Sequence, residues 1–135
     1  MTDIDVLRCS PTRWSCRTRH SVSHRPPPGR KFDHKISAKN HAGDPLAALA
    51  AAHSISLKAL PSIERRSRAL SDIAVTYDRL GRRTDCVRTI LAAEQCAPQE
   101  THARPATKAL ISSLLVSGPT TMELRGLAAR SGVLA

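Results

Sequence analysis

Apolar residues recur every three or four positions from residue 44 onward, which is the spacing of one face of an amphipathic α-helix. Capping residues, glycines and prolines divide this region into five predicted helices, at about 44–53, 62–80, 84–97, 101–117 and 120–131. No segment has the alternating pattern of a strand, and the 135 residues include only three aromatic side chains. Because β-sandwiches and barrels are rich in aromatic and β-branched residues, the pattern predicts an all-α fold.

The predicted helix ends follow from residues that favour those positions. Asp44 is a good N-cap for the first helix, and Thr84 is expected to cap the third. Thr120 with Glu123 has the spacing of a capping box, which predicts the start of the last helix. Gly81 supplies a left-handed residue that ends the helix before it. We expect the last helix to cover the end of the helical array.

Residues 1–43 differ from the rest of the chain in both pattern and charge. They hold nine basic and three acidic residues, a net charge of +6, whereas residues 44–135 carry +4 of the total of +10. Their apolar residues are few and irregular, and the run Pro26-Pro27-Pro28-Gly29 interrupts them. Such a segment buries too little apolar surface to offset the entropy cost of folding. We therefore expect a disordered tail over 1–43 and a helical domain over 44–135.

Residues 67–100 have the length and spacing of one 34-residue unit of two antiparallel helices. Small residues let the two helices approach closely, while Tyr77 and Ile90 fill the groove between them. This spacing predicts a tetratricopeptide-like repeat, and ordinary packing of a helical hairpin is the alternative. The predicted repeat core consists of Leu70, Ile73, Ala74, Tyr77, Cys86, Ile90, Ala93 and Pro98.

Several short stretches of residues 44–135, taken in order, resemble the C-terminal part of bacterial helix-turn-helix transcriptional regulators of the Cro/repressor class. They are Asp44-Pro45-Leu46-Ala47-Ala48-Leu49, Leu60-Pro61-Ser62-Ile63-Glu64-Arg65-Arg66, Leu91-Ala92-Ala93-Glu94, Thr101-His102-Ala103-Arg104-Pro105 and Leu124-Arg125-Gly126-Leu127-Ala128-Ala129-Arg130. The resemblance implies a tetratricopeptide-like region that senses a ligand or peptide, or dimerises, behind a DNA-binding domain. Residues 1–43 contain no capped helix pair of that kind, so the resemblance implies a truncated regulator without its DNA reader.

No pattern in the sequence indicates an enzyme. A glycine-rich phosphate loop, a serine elbow and a histidine pair with glutamate are all missing from it. Asp72, Asp78 and Asp85 are scattered among arginines and are expected to be surface charges. We therefore predict no catalytic residue and no cofactor.

Cysteines and histidines of the tail come close to a metal-binding pattern without matching one. Cys9, Cys16, His20 and His24 include suitable ligands, but the three residues between Cys16 and His20 leave no room for a zinc-finger unit. No metal site is therefore predicted. Four cysteines in 135 residues are also too few for a disulfide scaffold, which favours reduced thiols.

A candidate cationic surface for an acidic peptide or nucleic acid surrounds one helix hairpin, and an ordinary solvated helix surface is the alternative; its residues are Arg65, Arg66, Arg79, Arg82 and Arg83. The leading hypothesis is a non-enzymatic interaction or sensor module that binds a protein, a peptide or a second copy. The alternative is a small basic nucleic-acid-binding protein that uses the tail and the arginine-rich helix face, with weak and non-specific affinity. Neither a membrane-spanning run nor a signal peptide is evident, so we expect a cytoplasmic location.

Overall fold

The computed structural model describes residues 33–134, except for the side chain of Asp33. Within this range the chain forms seven α-helices and one short 3₁₀ turn and contains no strand, which confirms the all-α prediction. The helices are α1 (Asp33–His41), α2 (Pro45–His53), α3 (Ile63–Arg79), α4 (Arg83–Cys96), α5 (Pro98–Ala103), α6 (Pro105–Ser117) and α7 (Met122–Arg130), and the 3₁₀ turn is Leu57–Ala59.

The N-cap of α2 and the end of α3 agree with the sequence prediction. The Asp44 carboxylate accepts a hydrogen bond of 2.9 Å from the backbone N–H of Ala47. Gly81 has a φ of +73°, a conformation that favours glycine and turns the chain from α3 toward α4. Local residues therefore determine the start of α2 and the end of α3.

Two predicted caps are wrong by one or two positions. Thr84 lies inside α4, and the first turn of that helix instead carries an ion pair of 2.8 Å between Arg82 and Asp85. At α7 the N-cap is Thr121 rather than Thr120, because the hydroxyl of Thr121 accepts the hydrogen bond from the N–H of the third helical residue, at 3.2 Å. Either threonine satisfies the sequence rule, and the path of the preceding turn selects one of them.

The long helix predicted over 101–117 is divided into α5 and α6. Pro105 has no N–H to donate and restricts the residue before it, so Arg104 adopts an extended conformation between the two helices. Thr101, expected as an N-cap, lies inside α5 and is buried. Its hydroxyl shares a hydrogen bond of 2.8 Å with the hydroxyl of Ser67 on α3, which joins the two helices.

Residues 33–43 correct the predicted extent of the tail. They form α1 and the turn that leads to α2, and α1 packs against both α2 and α3. Ile36 is fully buried and Asn40 is 5% exposed, so one aliphatic and one amide side chain attach an otherwise polar helix. Periodicity did not reveal α1 because tertiary contacts, rather than a continuous apolar face, hold it. The rest of the predicted tail, residues 1–32, lies outside the described residues.

The helices pack in chain order around the α3–α4 hairpin. The α1–α2 pair lies against α3, α5 contacts α3 and α4, and α7 packs on α6. One continuous core runs through these contacts, so each pair of helices buries its apolar face against the next. Its largest fully buried apolar side chains are Tyr77, Ile36, Leu60, Leu70, Ile90, Ile111, Leu114, Leu124 and Leu127.

Seven of the eight predicted repeat-core residues are buried at the α3–α4 contact or beside it. The exception is Pro98, which is exposed at the first position of α5, where a proline loses no hydrogen bond. Ala74, Cys86 and Ala93 have no exposed surface at all, as expected where two helices approach closely. No helix within residues 33–134 is long and apolar enough to cross a bilayer.

Candidate functional site

Three of the five predicted surface arginines bind backbone carbonyl groups of the fold. We call Arg66, Arg79 and Arg83 the carbonyl-binding arginines. The Arg66 guanidinium donates to the carbonyl of Leu60 at 3.2 and 3.3 Å, just after the 3₁₀ turn, and that of Arg79 donates to the carbonyl of Asn40 near the end of α1. The Asn40 carbonyl also accepts a hydrogen bond from the N–H of Gly43 at 3.1 Å. Carbonyls at helix ends carry partial negative charge, so a guanidinium beside them is electrostatically favourable.

Arg83 makes the most extensive of these contacts. Its guanidinium donates to the carbonyls of Leu114 at 2.6 Å and Pro119 at 2.7 Å, and to the hydroxyl of Ser117 at 3.0 Å. Gly118 leaves room for it, since a Cβ at that position would lie 3.3 Å from the guanidinium carbon. Arg83 thereby ties the first turn of α4 to the C-terminal end of α6.

Replacing Arg83 by alanine is expected to lower the free energy of unfolding by about 1–3 kcal/mol, because the partly buried carbonyl of Leu114 and the exposed carbonyl of Pro119 lose a charged donor. Arg83→Lys keeps the charge but not the fork of donors and should recover only part of the loss. Urea denaturation followed by circular dichroism measures both. Arg88→Ala, on the exposed side of the same helix, is the matched control, with an expected change below about 0.5 kcal/mol. Equal effects of the substitutions at 83 and 88 would contradict this role.

The two remaining arginines of the predicted surface are engaged differently. Arg82 pairs with Asp85, and its guanidinium carbon lies 5.0 Å from the centre of the Tyr77 ring, within cation–π distance. Arg65 is half-buried, and its Nη1 is enclosed without a hydrogen-bond partner. Residues 65 and 79 stand about 20 Å apart along α3, at 1.5 Å per residue. The five arginines are therefore spread along the α3–α4 hairpin, and four of them make contacts within the fold.

A buried carboxylate joins three helices at the other end of α4. Glu94, whose side chain is 11% exposed, accepts hydrogen bonds from Arg130 on α7 at 2.7 and 2.8 Å, and its Oε1 lies 2.7 Å from Nε2 of His102 on α5. The hydrogen bonds from Arg130 outweigh burial and hold the pKa of Glu94 below its ordinary value. His102 and Arg130 lie 8 and 36 residues from Glu94 in the sequence, so no local motif predicts that the three side chains meet.

Asp72 is the second buried carboxylate, which corrects its assignment as a surface charge. Its Oδ1 lies 3.5 Å from a guanidinium nitrogen of Arg104, at the junction of α5 and α6. Burial raises the pKa of Asp72, and the lowering effects of Arg104 and Arg68 are smaller. The two carboxylates therefore differ in how well their charge is compensated. Glu94 accepts two short hydrogen bonds from Arg130, whereas Asp72 has one long contact of 3.5 Å with Arg104.

An open cleft of about 390 Å³ lies between the start of α3 and the junction of α4 and α5. Its apolar surface comes mainly from Ile63, Ala97, Pro98 and Ala103, and Cys96 also lines it. Glu64 in the first turn of α3 and Glu100 in the first turn of α5 also line the cleft. Each carboxylate offsets the partial positive charge at the N-terminus of its helix. The cleft can hold a small side chain of a partner.

Cys86 lacks the environment of a reactive thiol. Burial raises the pKa of Cys86 to about 12, so its thiol stays protonated at neutral pH. No group of three or more metal-ligating side chains lies among residues 34–134. The tail residues examined for zinc, Cys9, Cys16, His20 and His24, lie outside the described part of the chain.

Comparison of this chain with protein families, with curated proteins and with solved structures finds no match. Its function is therefore argued from the arrangement of its own residues.

Proposed function

We propose that this chain is a non-enzymatic interaction module built from tetratricopeptide-like helix hairpins, of the kind that forms the sensing part of helix-turn-helix regulators. The observation that carries the proposal is the succession of contacts along the chain. α1 pairs with α2, α3 with α4, and α6 with α7, and α3 also contacts helices of the pairs before and after it. Arrays in which each hairpin packs on its neighbours typically present grooves and end faces to partners.

Protein and peptide surfaces are the partners that fit the exposed residues best. Val116 near the end of α6 is 88% exposed, and Met122 at the start of α7 is 89% exposed. Lys108 is the only charged residue in α6, so the outward side of that helix carries little charge. We propose that this end of the array contacts another protein, including a second copy, in a cytoplasmic setting where thiols stay reduced.

Nucleic-acid binding is the alternative, and the net charge of +10 favours it. Half of that excess lies in residues 1–32, which hold seven basic and two acidic residues. In the helical part, however, the carbonyl-binding arginines serve internal contacts, and four further arginines pair with acidic side chains: Arg68, Arg82, Arg104 and Arg130. Their commitment to the fold supports the interaction module over the alternative.

Sedimentation velocity of the full chain over a wide concentration range tests the proposal. We expect the weight-average sedimentation coefficient to rise with concentration, and the double variant Val116→Glu/Met122→Glu to abolish the rise. Thr84→Glu/Gln95→Glu adds the same charge at exposed positions of α4 and is expected to leave self-association unchanged. A monomer at every concentration, with a melting temperature that does not depend on concentration, would contradict self-association through this face.

A further inference from the structure

Helix α1 owes its helical state to the groove that it occupies. It has nine residues, and Ile36 is its one fully buried apolar side chain. An isolated helix of this length and composition is marginal in water, since nucleation is unfavourable and few hydrogen bonds follow. The surfaces of α2 and α3 beneath α1 therefore stabilise it, as a binding site stabilises a peptide that folds on docking.

The groove recognises α1 through a specific set of polar contacts. The amide nitrogen of Asn40 donates to the carbonyl of Asp72 at 3.0 Å, and its amide oxygen accepts from the hydroxyl of Thr76 at 3.0 Å. Arg79 donates to the backbone carbonyl of Asn40. The Thr76 hydroxyl also lies 3.0 Å from the Asp72 carbonyl and has one proton to donate, so it bonds either that carbonyl or the Asn40 amide oxygen. An amide side chain fits this face of α3 because it offers both an N–H donor and a carbonyl acceptor.

The connection from α1 to α2 is short. Only Ala42, Gly43 and Asp44 separate the two helices, and Gly43 has a φ of +78°. The N–H of Gly43 donates to the carbonyl of Asn40 at 3.1 Å, and the N–H of Asp44 donates to that of Lys39 at 3.0 Å. The side-chain N-cap bond of α2, from the N–H of Ala47 to the Asp44 carboxylate, uses no atom of α1, so release of α1 leaves this bond intact.

From these contacts we infer that the α2–α3 groove is a helix-binding site and that α1 is its occupant within the chain. A partner helix competes for the groove when it carries an aliphatic residue and an asparagine four positions later, as in Ile36 and Asn40. This inference deepens the proposed function, since it gives the chemistry of the partner. The cleft lined by Glu64 and Glu100 and the surface around Val116 show no comparable pair of hydrogen bonds to one side chain among the described residues.

The test measures binding of a synthetic peptide with the sequence of residues 33–43 to full-length protein labelled with ¹⁵N. In Ile36→Ala/Asn40→Ala protein the internal helix competes poorly, and we expect the peptide to shift the amide signals of residues 72–79. Wild-type protein should bind the peptide at least about tenfold more weakly, because a tethered occupant competes at an effective concentration in the millimolar range. The same peptide with Asn40→Ala should also bind the double variant at least about tenfold more weakly.

Absence of binding to a folded double variant, or equal affinity for the two peptides, would overturn the inference. If the double variant does not fold, hydrogen exchange of the wild-type protein decides the question. The inference requires the amides of α1 to exchange through local opening, faster than those of α3, and equal protection of the two helices would overturn it. A chain that self-associates but does not bind the peptide would refute this inference alone. A monomeric chain that binds it would instead refute self-association at the α6–α7 end.

Discussion

Replacing Tyr77 by alanine is expected to lower the free energy of unfolding by about 3–5 kcal/mol. Tyr77 is 1% exposed and is the largest fully buried side chain among the described residues. It lies on α3, whose packing against α4 forms the centre of the fold, and its ring also lies beneath the Arg82 guanidinium. Truncation leaves a cavity that the surrounding helices fill only in part. Urea denaturation followed by circular dichroism gives the loss directly.

Two further substitutions show whether the loss comes from the buried ring. Tyr77→Phe keeps the ring and should cost no more than about 1.5 kcal/mol. Val116→Ala, at a strongly exposed position, should change the stability by less than about 0.5 kcal/mol. A loss below about 1 kcal/mol for Tyr77→Ala would mean that α3 does not pack at the centre of the core.

The two buried carboxylates are expected to respond in opposite directions when each is made neutral. Glu94→Gln should lower the free energy of unfolding at pH 7 by about 1–3 kcal/mol, because Arg130 and His102 lose a charged acceptor. Asp72→Asn should leave it unchanged or raise it, because burial of the Asp72 charge is only partly offset by Arg104. Each substitution is the control for the other, since both remove one negative charge from a buried acid.

The pH dependence of stability follows from the same two pKa shifts. The lowered pKa of Glu94 contributes stability above the ordinary pKa of a glutamate, and this contribution is lost as the pH falls through the folded-state pKa. The raised pKa of Asp72 acts in the opposite sense, because protonation at low pH removes a buried charge that destabilises the folded state. Melting temperatures measured from about pH 6 to about pH 3 should therefore fall less steeply in Glu94→Gln than in the wild type, and more steeply in Asp72→Asn. The reverse order of the two variants would contradict the assignment.

The sequence predicts those helices that local residues define and fails where distant contacts decide. The start of α2 follows from Asp44, and α3 follows from its 3.6-residue period and from Gly81, all of which act within a few residues. α1 is not predicted from the sequence, because Ile36 and Asn40 stabilise it only through contacts with α2 and α3. The separate helix α5 before Pro105 also escapes prediction, because Thr101 contacts Ser67, which is 34 residues away in the sequence.

The candidate site shows the same limit more strongly. A row of arginines predicts positive charge but does not reveal what each guanidinium binds. Arg83 reaches carbonyls more than 30 residues away, and Glu94 finds Arg130 at a separation of 36. Both depend on the way that α6 and α7 fold back on α4. The sequence therefore indicates the total charge, while the fold determines that much of it serves internal contacts.

The central claim is that the arginines of the helical part stabilise the array, which acts through protein contacts. Titration of the full chain with duplex DNA across a range of salt concentrations tests it most directly, beside a variant whose seven basic residues between Arg8 and Lys31 are replaced by glutamine. The account predicts a dissociation constant weaker than about 100 μM at physiological salt, with any low-salt binding lost in the variant. A dissociation constant of about 1 μM or tighter at physiological salt, retained in the variant, would contradict it.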